Sequence, residues 1–183
     1  MDTLAFIIMT VALMVLVIAF TWYMNYYISM NLLNTVNYVT SLVTSALMHE
    51  METAVSIASF NDVTGAFNFT LMLPTSSFST QGLAINYNIT LYPNPKVLVS
   101  GSNRVYELMA NITVMASLGP VTRTMRTTTL LYSSTQPYTI TAYNCVENSS
   151  VVLISPNNPT SGQCTWDSAD IQMGNAVISI SKS

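Results

Sequence analysis

At 183 residues, half of them apolar and 7% charged, the chain has room for one globular domain and one long appended element. Its charge content falls well below the quarter typical of soluble domains, so Thr, Ser, Asn and Tyr must do the solvating. The net charge of −3 and the scattered cations Lys96, Arg104, Arg123, Arg126 and Lys182, of which Arg123 and Arg126 form the one close pair, exclude a basic nucleic-acid-binding face. Uncharged polar surfaces keep one charge state at any pH, which suits an acidic medium, carbohydrate decoration or tight lateral packing alike.

The first 64 residues contain neither glycine nor proline; all six glycines and all seven prolines fall from Gly65 onward. With no breaker, one uninterrupted helix of about 85–90 Å is expected over the first third. Its halves differ. Residues 1–27 form an apolar element: Leu4, Phe6, Ile7, Ile8, Leu13, Val15, Leu16, Val17, Ile18, Phe20 and Trp22 point in every direction around the axis. That run is long enough to span hydrocarbon, and Trp22, Tyr23, Tyr26 and Tyr27 follow where an aromatic belt would lie. Residues 28–64 turn amphipathic, with Leu32, Val36, Val39, Val43, Leu47, Met51, Val55 and Ala58 on one stripe and Asn31, Asn34, Asn37, Ser41 and Glu52 mostly opposite. Such a stripe wants a partner, and the chain's own remaining domain would supply it.

Residues 65–183 read as strands over 67–73, 83–92, 105–118, 121–132, 138–143, 151–155 and 176–180, from alternation and β-branched or aromatic enrichment. Gly119-Pro120 between two long runs predicts a hairpin. The expected class is therefore α+β: a long N-terminal helix followed by an all-β antiparallel, Ig-like sandwich. Cys145 and Cys164 are too far apart for a CxxC site; they are either one disulfide, as an exported chain would form, or two separate buried thiols. Sequons occur at Asn68, Asn88, Asn111 and Asn148, all in the head and none in the helix. Their number is what 16 Asn and 44 Ser plus Thr give by chance, so each stands as a candidate for an N-linked glycan and no more.

Catalysis finds little support. The single histidine, His49, lies mid-helix beside Glu50 and Glu52, a solvated helix face that lacks further ligands. Asp167 and Asp170 have no acidic, Gly-containing loop around them for calcium. There is no phosphate-binding glycine loop and no nucleophile elbow, so no catalytic residue, metal, cofactor or small-molecule substrate is expected.

No Lys or Arg precedes Lys96, although a membrane-inserted helix normally keeps cations on its cytoplasmic flank. Cleavage of a short basic leader ahead of a retained apolar helix would account for this, with an unusual native start at Met1 as the other possibility. Asp2 would then either neutralise a neighbouring N-terminal amine or sit in water. The apolar helix, its amphipathic continuation and the Thr/Asn-rich β head resemble archaeal type IV pilins, adhesive pili in style. Archaellins share the plan. Bacterial members carry a glutamate where Ala5 stands, and the Ser-Pro-Val-Val opening of many archaeal members is replaced by Met-Asp-Thr-Leu.

The resemblance implies leader removal by a prepilin-type peptidase and assembly by a membrane platform and ATPase. It further implies a homopolymeric extracellular filament cored by N-terminal helices and serving adhesion, its subunits held in the membrane beforehand. An archaellin-type motility filament and a membrane-anchored monomeric binding domain are the alternatives.

Overall fold

In a computed structural model of the chain, the described residues are 2–60, 65–73, 82–94, 98–100, 103–135, 138–155 and 162–182. Helix α1 runs without interruption over Asp2–Ser59, 58 residues and about 87 Å. Threonine is a poor helix former, and α1 tolerates several by bonding their hydroxyls back one turn: Thr10 to Phe6 O, Thr21 to Val17 O, Thr35 to Asn31 O, Thr44 to Thr40 O and Thr53 to His49 O. The helix stops at Ser59, and residues 61–64 of the expected element lie outside the described residues. α1 has no basic residue in its last turn; Lys182 supplies one from the other end of the chain, its Nζ donating to Phe60 O at 2.6 Å. A cation there complements the helix dipole.

The strands are β1 (Ala66–Thr70), β2 (Leu83–Pro93), β3 (Leu98–Ser100), β4 (Asn103–Leu118), β5 (Val121–Ser134), β6 (Tyr138–Tyr143), β7 (Ser150–Ile154), β8 (Cys164–Asp167) and β9 (Val177–Lys182). A short helix, α2 (Ser168–Gln172), separates β8 from β9. One antiparallel sheet has the order β1-β9-β6-β7; in the other, β8, β2, β4 and β5 pair in turn, and β3 pairs with the start of β4. First and last strands are neighbours here, whereas the immunoglobulin constant arrangement places them in opposite sheets. The expected hairpin joins β4 and β5, with Gly119 at φ +57, the backbone that a type II′ turn asks of its first central residue.

The core lies between the sheets and under α1. Alternate residues Leu108, Ala110, Ile112, Val114 and Ala116 of β4 point inward, as do Tyr87, Ile89 and Leu91 of β2. The helical stripe Leu32, Val36, Val39, Val43, Leu47, Met51 and Ala58 is buried in the same core, chiefly against β5 and β4; Ala54 joins it and Val55 is half-buried. Two breaks in strand alternation have one cause. Irregularities in register, opposite Leu108/Met109 of β4 and Ile140/Thr141 of β6, let consecutive residues Leu131-Tyr132 and Leu153-Ile154 all turn inward.

Trp166 is fully buried, its Nε1 donating to Tyr143 O at 2.9 Å. Beside it the Cys145–Cys164 disulfide, with Cα atoms 5.1 Å apart, ties the segment after β6 to β8 of the opposite sheet. Closing a loop of this size stabilises the fold by about 3 kcal/mol.

Two outcomes follow from the core. Thr40 is 4% exposed, and its hydroxyl has no hydrogen-bond partner among the described residues. Thr40→Val removes a buried unpaired group without changing shape and should stabilise the fold by about 1 kcal/mol, seen as a higher urea midpoint with unchanged slope. Burial pushes the Tyr87 phenol up; burial also raises that of Tyr132, aided by Tyr138 and partly offset by a hydrogen bond from Ser134. Both phenols hold their protons more tightly folded than unfolded. Their contribution is therefore complete below about pH 10, the unfolded tyrosine value, and is lost as pH rises beyond it. Urea midpoints should fall between pH 9 and pH 11.5, and less so in Tyr87→Phe.

Candidate functional site: an uncovered apolar helix

From Thr3 to Tyr27 every residue of α1 is exposed, and the head covers none of it. Phe6, Leu16, Ile18 and Trp22 are 72, 67, 69 and 71% exposed. Leu4, Ile7, Ile8, Leu13, Val15, Val17 and Phe20, the rest of the apolar run, share this condition. A folded chain of 20.0 kDa ordinarily exposes about 8,700 Å², whereas this one exposes 11270 Å², an excess of about 2,600 Å². Single exposed apolar side chains are ordinary; a contiguous apolar surface of this size is not.

The rod has chemical texture. Phe6, Met9, Leu13, Met14, Val17 and Ile18, with Thr10 among them, make one almost wholly apolar side of the rod. Thr10 and Thr21 spend their hydroxyls on the helix backbone, so neither presents an unpaired donor to an apolar neighbour. Trp22 and Tyr26 stack one turn apart with centroids 6.2 Å apart and 18° between planes, closing the rod's upper end with amphipathic rings. Just above, Arg123 of β5 donates from Nε to Ser29 Oγ at 3.0 Å and also from its guanidinium NH2, fixing the lower end of the β4–β5 hairpin to the helix. The exposed segment is about 37 Å long, more than a bilayer core requires, so α1 is long and apolar enough to cross a membrane.

The residues weighed for chemistry have other employment. Asp167 and Asp170 form the reciprocal cap of α2: Asp170 N donates to Asp167 Oδ1 at 2.8 Å, and Asp167 N to Asp170 Oδ2 at 3.3 Å. His49 and Glu52 are both exposed on α1, and no group of three His, Cys, Asp or Glu gathers among the described residues. Of the sequon asparagines, Asn68, Asn88 and Asn148 are exposed, whereas Asn111, on the central strand β4, is half-buried. A mixed cleft between the end of α1 and β5–β6, lined by Glu52, Ser56, Ser133 and Tyr138 among others, holds no such cluster.

No protein-family model, no curated protein and no solved structure matches this chain.

Proposed function

We propose that this chain is the structural subunit of an extracellular helical filament of the archaeal type IV pilus kind, polymerising through Thr3–Tyr27 and serving adhesion. A single observation carries the reading: a helix continuous with a well-packed head leaves its first 25 or so residues, apolar on all sides, without any cover from their own chain. Burying one Leu, Ile, Val, Phe or Met side chain is worth about 1.5–3 kcal/mol, so more than ten of them make lipid or other copies of the rod the two stable surroundings. Identical rods packed by a heterologous, non-closing contact generate an open helix. Thioether side chains at Met9, Met14 and Met24 fill irregular gaps between such rods. The role is mechanical and needs no catalytic residue, cofactor or substrate.

A second reading, a monomer held in the membrane, draws on the Trp22–Tyr26 stack at the rod's end, where a membrane interface would meet it. The amphipathic half separates the two: an anchor alone needs a tether, whereas here about 40 Å of helix is welded to the head and holds the rod at a fixed angle. Full-length protein extracted in detergent and then freed of it should grow fibres visible by negative stain. Protein that remains a detergent-bound single molecule, under all conditions that leave the head folded, would refute the filament.

A further inference from the structure

The outward face of the β8-β2-β4-β5 sheet carries two cross-strand rows. Register places Asp167, Asn88, Thr113 and Arg126 side by side in one row, and Thr165, Thr90, Asn111 and Thr128 in the next. All eight are polar. The flanking residues Ile89, Leu91, Ile112 and Val114 turn to the core, and the Thr90 and Thr165 hydroxyls meet at 3.0 Å, which confirms that these positions share the outer face. The centre of the patch is two copies of one tripeptide: Asn88-Ile89-Thr90 lies antiparallel to Asn111-Ile112-Thr113, Asn opposite Thr in both directions. At its two ends stand opposite charges, three strand spacings or about 14 Å apart.

Charge use elsewhere makes Arg126 unusual. Arg123 bonds Ser29 and Lys182 bonds Phe60 O, but Arg126, exposed at the patch edge, makes no ion pair or hydrogen bond among the described residues. Asp167 spends one carboxylate oxygen on α2, while the residue stays exposed.

We infer that this face docks against the same face of a second copy of the chain, joining filaments side by side. The row reads acid–amide–hydroxyl–base. Turned over about an axis parallel to the strands and laid on itself, it sets Asp167 against the other copy's Arg126, and Arg126 against its Asp167. Asn88 then faces Thr113 and Thr90 faces Asn111, each amide meeting a hydroxyl. A two-fold axis makes such a contact self-complementary, and it repeats wherever two copies meet. Arg123 and Thr129, which bond α1, alternate along β5 with Arg126 and Thr128, so the face lies on the side of the sheet away from α1 and a polymer cored by α1 leaves it outermost. One exposed charge pair contributes little, but a filament presents the patch once per subunit, and many weak contacts along two aligned filaments add into a stable one.

This inference rests on the filament reading, and the test keeps the two apart. Wild-type fibres at low ionic strength should gather into bundles that pellet at low speed and loosen as salt is raised, because screening shortens the reach of exposed charges. Arg126→Asp places like charges at both ends of the row and should lower the pelleted fraction at least tenfold while single fibres persist. Asp167→Asn keeps a good helix cap, so α2 is retained, and should lower it less. Fibres of Arg126→Asp that bundle like wild type overturn the inference and leave the filament standing. Glycans found on Asn88 or Asn111 in assembled fibres overturn it too, since they would fill the face. Absence of any fibre from the wild-type protein defeats both readings.

Discussion

Val15→Asp should abolish fibre formation while leaving the head as stable as before. Val15 is 61% exposed in the single chain, so in the isolated subunit its replacement disturbs no packing. In the proposed fibre the same position would be enclosed by other rods, where an unpaired carboxylate costs several kcal/mol or forces itself to take up a proton. Every subunit carries the defect, so the cost recurs at each step of growth. The charge also hinders residence in lipid, by about 2.5–3.5 kcal/mol near the middle of a helix. Assembly is therefore best assayed from detergent-solubilised protein, which separates failure to insert from failure to stack. Leu16→Lys reverses the charge on a neighbouring face and should behave alike. The expected readings are no fibres by electron microscopy and an unchanged thermal midpoint for the head. Fibres of normal width and yield from either variant would remove the rod from the assembly.

Much of this architecture could be read in the sequence, and the reasons are physical. The absence of Gly and Pro before Gly65 is a strong statement about an uninterrupted helix, and the stripe from Leu32 to Ala58 repeats often enough to fix which face is buried. Long strands with period-two burial, β2 and β4 above all, were equally legible, and Gly119-Pro120 marked the hairpin between β4 and β5. Three elements escaped. β3 has three residues and β8 four, too short for alternation to register, and Trp166 is buried there because the disulfide and the Tyr143 carbonyl hold it, neither of which is a local signal. α2 hides in Asp167-Ser168-Ala169-Asp170: the sequence speaks against these aspartates as calcium ligands, but only their hydrogen bonds reveal the capping box. The polar patch escaped for a different reason. Its two Asn-Ile-Thr tripeptides are visible as sequons, but sequence does not give the register that lays one against the other and sets Asp167 and Arg126 at opposite ends. Local chemistry writes elements into a chain; pairing between distant strands is settled by the whole core.

The second large effect comes from repeating the first substitution thirty-two residues further along the same helix. Leu47 is fully buried, one residue before Met48, whose sulfur accepts from the Thr129 hydroxyl of β5 at 3.7 Å. Leu47→Asp puts a carboxylate between α1 and the sheet, where its desolvation of several kcal/mol is set against a total stability of about 5–15 kcal/mol. The head should lose cooperative unfolding or fall far in midpoint, and fibres should fail because the subunit is unfolded. The milder Leu47→Ala supplies the scale: a lost side chain and the cavity it leaves cost about 2–5 kcal/mol, or very roughly 5–20 °C for a domain of this size. Position 15 and position 47 thus carry equally apolar side chains in one continuous helix, yet a charge is silent for folding at the first and ruinous at the second. The difference is cover: the chain's own β sheet encloses Leu47, whereas nothing in the chain covers Val15. Should Leu47→Asp leave the thermal midpoint of the head untouched, the upper helix would not be docked as described, and the rod would lose the rigid mount that distinguishes a stacking subunit from a tethered one.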